Sequence, residues 1–331
     1  MAINSISNNS VVLPVEYGRE IIRGVVGRSK ALELGRRLPD MRGKTYKLNV
    51  LSHLPVAGWV KNQSTPSKAN EAHIKNKPIS YLAFEGVDLV AEEIAVIVPV
   101  SINTLNDVED MGIELMPEIT EQVVGAFQQV LDSTIFFGTN SPWAGFSGLV
   151  AGATSAGATV SWDGESGLSF YEAINDAMEK VENSGYVPTA ILGGPSLNSA
   201  FRKTITELGV LAGDQGEIGA LPRHVDLTGG FNQSTAFAIV GDFRYLVYSF
   251  REEISMRVLY EATLKDPATG TELYNLAQQD MIGLRFTMRL GCALPNPVNR
   301  VSSVASGNTI KAGASAYPFA IITKTASAGS N

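Results

Sequence analysis

Residues 53–80 read HLPVAGWVKNQSTPSKANEAHIKNKPIS. The stretch carries Pro55, Pro66 and Pro78, four lysines (Lys61, Lys68, Lys75, Lys77) and two histidines (His53, His73), with large apolar side chains only scattered between them. It follows neither the period of a strand nor that of a helix, and it far exceeds the ~4–6 residues of an ordinary connection. Such a segment cannot supply a core of its own. Strand-like runs flank it, Tyr46–Leu51 before and Phe84–Val100 after. The economical reading is a long projecting hairpin that either moves freely or lies on another surface.

On the amino-terminal side, Tyr46, Leu48 and Val50 alternate with Lys47 and Asn49, the mark of a half-buried strand. Upstream, Ile21, Ile22, Val25, Val26 and Leu32 share a helical face that Gly18, Gly24 and Gly27 weaken. Residues 1–13 read as a flexible lead.

Carboxy-terminal to the hairpin, AVIVPV (95–100) closes a strand. Ile119, Val123, Phe127, Val130 and Ile135 then predict a helix over 113–136, the longest in the chain. Pro117 fits in its first turn, where amide protons lack partners anyway. Gly138, Pro142, Gly145 and Gly148 punctuate its exit and predict a domain boundary.

Beyond that point the elements alternate. Ser169-x-x-Glu172 reads as a capping box for a helix carrying Phe170, Ile174, Ala177, Met178 and Val181, closed by Gly185. Thr189–Leu192 is a short strand. Pro195 opens a helix with Leu197, Phe201, Ile205 and Leu208 that Gly209 ends. Residues 210–234 are glycine-rich and read as loop. Gly241-Asp242 between Ala236–Val240 and Tyr245–Phe250 signals a hairpin. Every second residue from Ile282 to Leu294 is apolar, the clearest strand in the sequence, with Arg285 and Arg289 facing the other way. The last residues, TASAGSN, form a polar tail, and no internal repeat is visible.

The 331 residues suit about two domains, and 44% hydrophobic against 18% charged residues permits a packed core. Net charge is −7, so the whole chain has no footprint for gripping nucleic acid. Its distribution is uneven. Between Arg19 and Lys47 nine basic residues face three acids, whereas Glu85 to Glu121 holds ten acids and no Lys or Arg. One cysteine, Cys292, excludes an intramolecular disulfide and points to a reducing compartment. The polar start predicts no secretory signal, and no apolar run approaches the ~20 residues of a membrane span.

Chemistry finds little support. His53, His73 and His224 have no metal-ligand spacing, and neither HExxH nor CxxC occurs. GFSG (145–148) falls short of a nucleophile elbow, and GDQGEIG (213–219) lacks the strand and the Lys-Ser/Thr ending of a phosphate loop. The pairs Glu92-Glu93, Glu109-Asp110 and Glu252-Glu253 are adjacent and so point apart. No catalytic, cofactor-binding or metal-binding residue is assigned, and the chain is read as a non-enzyme.

The order of parts resembles the tailed-bacteriophage major capsid proteins with the Johnson fold. The residues that carry the likeness are Ala57-Gly58-Trp59-Val60 at the hairpin entrance and Val98-Pro99-Val100-Ser101, with Leu105 and Asp107, before the long helix. Gly138-Thr139-Asn140 with Gly145 through Leu149 follows that helix. Gly241-Asp242-Phe243 with Tyr245 resembles a hairpin of the family, and Asp280 through Leu294 its closing strand. Lys61 departs from the acid that relatives often carry there.

The resemblance implies an α+β fold with an N-terminal arm (1–42), an extended E-loop hairpin (43–84), a peripheral P domain with a long spine helix (85–144), an axial A domain (145–278), and a return strand with C-terminal tail (279–331). It implies a virion shell protein, assembled in the host cytoplasm into hexamers and pentamers around double-stranded DNA. Partners would be further copies, a portal, a separate scaffolding protein and, as a further candidate, a decoration protein; no membrane and no cofactor are implied. The alternative is an encapsulin-like compartment. Within the family picture, Arg28, Arg36, Arg37, Lys61, Lys68, Lys75 and Lys77 are expected to pair in part with Glu109, Asp110, Glu114, Glu118 and Glu121 of neighbouring copies, while Trp59, with Leu54 and Ile74, supplies apolar burial at the same contacts.

Overall fold

A computed structural model of the chain describes residues 28–57, 79–110, 115–164, 167–208, 217–218 and 221–325. The predicted lead, most of the first helical face and the middle of the 53–80 stretch lie outside these residues. The first described elements are helix α1 (Lys30–Leu34) and strand β1 (Arg36–Arg37). Strands β2 (Thr45–Pro55) and β3 (Ala83–Val90) then pair antiparallel from Thr45↔Val90 to His53↔Ala83, so the flanks of the predicted hairpin lie side by side.

Phe84–Val100 is not one strand. The chain breaks at buried Ala91, and β4 (Glu92–Ser101) joins a different sheet. Helix α2 (Ile102–Asp110), which the sequence does not announce, precedes the predicted long helix, α3 (Leu115–Phe137). Pro117 does sit in the first turn of α3. Val123, Phe127, Leu131 and Ile135 are buried at four-residue spacing, while Val130 turns outward. Gly138 and Gly148 close the exit with φ +70° and +92°. A Cβ on Gly148 would fall 2.3 Å from the Gly138 nitrogen, so no other residue fits this crossing.

Next come α4 (Leu149–Ser155), β5 (Thr159–Trp162), α5 (Gly167–Asn183), β6 (Ala190–Gly193), α6 (Leu197–Leu208), β7 (Glu217–Ile218), β8 (Leu221–Val225) and β9 (Ala238–Gly241). Helix α5 starts before Ser169, whose Oγ donates to Asp163 Oδ1 at 2.8 Å and accepts from Trp162 Nε1, so the predicted N-cap lies inside the helix. The stretch read as loop over 210–234 contains β8, held parallel to β6. The remaining strands are β10 (Val247–Leu259), β11 (Thr263–Lys265), β12 (Glu272–Asn275), β13 (Met281–Ala293), β14 (Ser303–Ser306), β15 (Thr309–Ala312) and β16 (Phe319–Lys324).

The Gly241-Asp242 hairpin does not form. β9 lies in a six-stranded sheet ordered β5-β16-β9-β6-β8-β7, and β10 in a four-stranded one ordered β1-β10-β13-β4. Asp242 instead caps a short 3-10 turn through Arg244 N. β16 pairs parallel with β5 and antiparallel with β9, so the described chain's last strand lies inside the larger sheet, next to the edge strand β5. Helix α5 packs on β5, β16 and β9 with Phe170, Ala173, Ile174, Ala177 and Val181. Phe170 meets Trp162, Phe201 and Phe237 with ring centroids 4.9–5.6 Å apart, a geometry that adds to plain burial.

The described chain divides into two compact units. One contains 96–124 and 256–286, with α2, the hairpin β11–β12 and buried Leu276, Ile282, Leu284 and Phe286. There Ile102 N donates to Asp280 O at 3.0 Å, fixing the start of α2. The other unit contains 27–95, 125–255 and 287 onward. The predicted alternation along β13 is present, with Ile282, Leu284, Phe286, Met288, Leu290 and Cys292 all buried. The fold is thus a mixed α+β one with several sheets.

Candidate interaction surface

The hairpin β2–β3 belongs to a four-stranded sheet ordered β14-β15-β2-β3, so residues 303–312 build the base from which the long stretch departs. Thr309, Ile310 and Lys311 pair with Pro55, Leu54 and His53. Ser80 closes the base: its Oγ accepts from Val56 N at 2.9 Å and donates to Asn308 O at 2.5 Å. Val298 N donates to Leu51 O at 2.9 Å, and Arg300 Nη2 to Pro55 O at 3.1 Å. The return segment is itself fixed, since Tyr186 OH donates to Asn296 Oδ1 and Asn299 Nδ2 to Ser184 O. Burial holds the Tyr186 hydroxyl in its neutral donor form, pushing its pKa up to about 12.

Beside this clamped base the surface is apolar. Ile79, Tyr81, Leu82 and Phe84 are 81%, 59%, 50% and 63% exposed, and Val56 is exposed next to Ser80. Single exposed apolar residues are ordinary; a run of them leading into one strand makes a candidate interaction surface. β3 also ends its sheet, leaving one edge without a strand partner among the described residues.

The residues expected at contacts divide into three groups. Trp59, Lys61, Lys68, Lys75, Lys77 and Glu114 lie outside the described residues. Glu109 and Asp110 end α2, with side chains likewise outside the description. The rest can be placed. Arg28 and Arg36 are exposed, and Arg36 lines a groove of about 430 Å³ with Asn49, Leu51, Arg244, Tyr245 and Pro297. Arg37 pairs with Asp40 and Glu253, each at 3.0 Å, and lies over the Phe250 ring. Hydrogen bonds to Asp40 and then Glu253 raise its already high pKa. Glu118 accepts from Gln122 Nε2 on α3, and Glu121 is half-buried there.

Part of the charge segregation is resolved within the chain. The hairpin register sets Lys47 opposite Asp88, 3.6 Å apart, and Lys44 reaches Glu92 at 3.8 Å. These exposed pairs help set register and are worth about 0–1 kcal/mol each.

A second feature is absent from the sequence reading. Asp132 on α3 is fully buried, and the start of α1 wraps its carboxylate. Ser29 Oγ and Ala31 N donate to Oδ1 at 2.7 and 3.0 Å, and Lys30 N donates to Oδ2 at 3.2 Å. Burial pushes its pKa up to about 6 against the pull of these donors. Asp226, also buried, lies close by, and the Thr228 hydroxyl reaches both carboxylates, at 3.2 and 2.7 Å. The signal was available: from Gln122 to Phe137, Asp132 is the one charged residue in an otherwise uncharged run of helix.

Among the described residues no group of three or more His, Cys, Asp or Glu could hold a metal, and no helix is long and apolar enough to cross a membrane. Cys292 is buried, and burial raises its thiol pKa.

The chain matches none of the curated proteins. Among solved structures it is similar to one from Microbacterium phage Oxtober96, with 28% identity, TM-score 0.73, and coverage of 95% of this chain and 96% of that one. A structure from Mycobacterium phage Bobi gives 25% identity and TM-score 0.77, covering 98% and 100% of the two chains. One from Mycobacterium phage Adephagia gives 25% identity and TM-score 0.75, covering 99% and 100%. The profile of the phage capsid family matches residues 9–299, most of the sequence. With that match covering most of the sequence, the chain belongs to the phage capsid family.

Proposed function

We propose that the chain is the major capsid protein of a tailed phage, packing as hexamers and pentamers into an icosahedral shell around double-stranded DNA. The observation that carries this reading is the clamped hairpin with its exposed apolar run, joined to family membership. In this reading residues 43–84 are the E-loop, 1–42 the arm, 85–144 the P domain with α3 as spine, 145–278 the A domain, and 279–331 the return strand and tail.

Ile79, Tyr81, Leu82 and Phe84 supply apolar burial against a neighbouring copy. The charged groups set its register: Arg28, Arg36, Arg37, Lys61, Lys68, Lys75 and Lys77 on one side, Glu109, Asp110, Glu114, Glu118 and Glu121 on the other. Such contacts are heterologous, and heterologous contacts form rings where the rotation between copies is a whole fraction of a turn. An acidic chain suits a container that must hold nucleic acid without gripping it.

The family is a structural one, which favours the shell reading over chemistry and a genome container over an encapsulin-like compartment. A portal, a separate scaffolding protein and a decoration protein are the further partners proposed, with assembly in the host cytoplasm. The test is electron microscopy of the expressed chain, with and without a co-expressed scaffolding protein. Closed shells are expected; small oligomers under both conditions overturn the proposal. Nuclease-resistant DNA in particles purified from infected cells is the expected sign of a genome container, and protein contents without DNA would refute that part.

A further inference from the structure

Arg36 and Arg244 line one groove, and the chain supplies an acid to only one of them. Arg244 is gripped by Asp242, with Nε donating to Oδ1 at 2.8 Å and Nη2 to Oδ2 at 2.6 Å. The fork leaves Nη1 without a partner among the described residues, and the side chain stays 65% exposed. Arg36, exposed on β1, makes no ion pair among the described residues. Leu51, Pro295 and Pro297 wall the groove, Asn49 adds an amide, and no acid is among its lining residues. With Asp242 offsetting Arg244, Arg36 leaves the groove one positive charge that the described chain does not answer.

Resting on the reading of the chain as a shell subunit, we propose that this groove receives the carboxy-terminal end of α2 from a neighbouring copy, with Asp107 set against Arg36.

Charge selects the occupant. Of the ten acids in 85–121, Asp88 and Glu92 meet lysines of their own chain, and Glu118 accepts from Gln122. The last four positions of α2 hold Asp107, Glu109 and Asp110, with no base in the last turn. A helix carboxy-terminus already bears partial negative charge, so acids gathered there are unfavourable until a cation approaches. Asp107 is exposed and makes no ion pair among the described residues. Other parts of the chain fit less well. Residues 58–78 carry four lysines against Glu71 alone, and residues 1–27 two arginines against two acids, so neither brings net negative charge. A groove of about 430 Å³ takes in a few side chains and not a nucleic-acid duplex.

Each copy then carries one groove and one α2 end, so the contact is heterologous. Exposed ion pairs are individually weak, and this one fixes how neighbouring copies are turned more than how tightly they bind.

Disulfide trapping in the full chain tests the contact. Asn49→Cys places a thiol in the groove and Asn106→Cys one next to Asp107, while every charge invoked is kept. Cys292 is buried and stays out of reach. Because one surface meets a different one, mild oxidation of the doubly substituted chain is expected to give a ladder of dimers, trimers and higher species on a non-reducing denaturing gel. Each singly substituted chain is expected to give none. Adding Arg36→Glu to the doubly substituted chain should raise the protein concentration at which the ladder appears about fivefold, and further adding Asp107→Arg should restore it. Electron microscopy of the same samples separates this contact from the shell reading. Closed shells without a ladder overturn the groove contact and leave the shell standing. A ladder in small oligomers alone supports the contact and refutes the shell, and the absence of both shells and ladder overturns both. Dimers from a single variant at the level of the double, or a ladder indifferent to Arg36→Glu, also overturn the proposal.

Discussion

Phe84 offers a direct measure of what the hairpin surface contributes. It lies in β3, 63% exposed, opposite Leu51 across the hairpin. Full burial of a phenylalanine side chain is worth about 1.5–3 kcal/mol, so the part left exposed can still yield about 1–2 kcal/mol when a neighbouring copy covers it. Phe84→Ala removes that gain at each subunit contact. At tenfold per 1.4 kcal/mol, the concentration at which shells begin to form should rise about 5–30-fold. Light scattering against protein concentration reads this. Urea unfolding of the unassembled subunit is the control, because truncating a side chain that touches mainly solvent should change its stability by no more than about 0.5 kcal/mol. Adding Tyr81→Ala should raise the threshold further by a similar factor. An unchanged threshold refutes the reasoning. So does a loss of subunit stability as large as the loss of assembly, since Phe84 would then be supporting the fold and not a contact.

Other consequences follow from single elements. Ending the chain after Tyr317 removes β16 from between β5 and β9 of the six-stranded sheet, and loss of any cooperative urea transition is expected; a normal transition would show that the sheet closes without it. A double-mutant cycle on Lys47 and Asp88, both more than half exposed, should give a coupling of about 0–1 kcal/mol in urea unfolding. A coupling well above that would mean the pair is shielded from solvent. Tyr186→Phe leaves Asn296 Oδ1 without its donor, and should cost about 1–3 kcal/mol in the same assay. No measurable loss would show that water replaces the hydroxyl.

What the sequence discloses depends on how far away the partner is. β13 is readable because burial of one face writes a two-residue period directly into the chain, from Ile282 to Cys292. Along α3 the period is also present, but the row that is buried, Val123-Phe127-Leu131-Ile135, differs from the apolar set through Val130. A helix with apolar residues on several sides does not say which side its partner covers. At Gly241-Asp242 the turn is real, yet β9 takes its neighbours from β6 and from β16, some 80 residues further on. A turn reverses the chain without choosing the strand that comes to lie beside it.

Asp132 is the extreme case. An acid set among Leu131, Ile135 and Phe136 is a conflict at the local level, and conflicts of this kind persist where something distant compensates them. The compensating donors are Ser29, Lys30 and Ala31, about a hundred positions earlier, and two of the three bonds come from backbone amides. Backbone donors leave no trace in side-chain identity, so no pattern at 29–31 announces them. Chemistry of this sort is visible in one half only. The buried acid can be found from the sequence, and what it holds in place cannot.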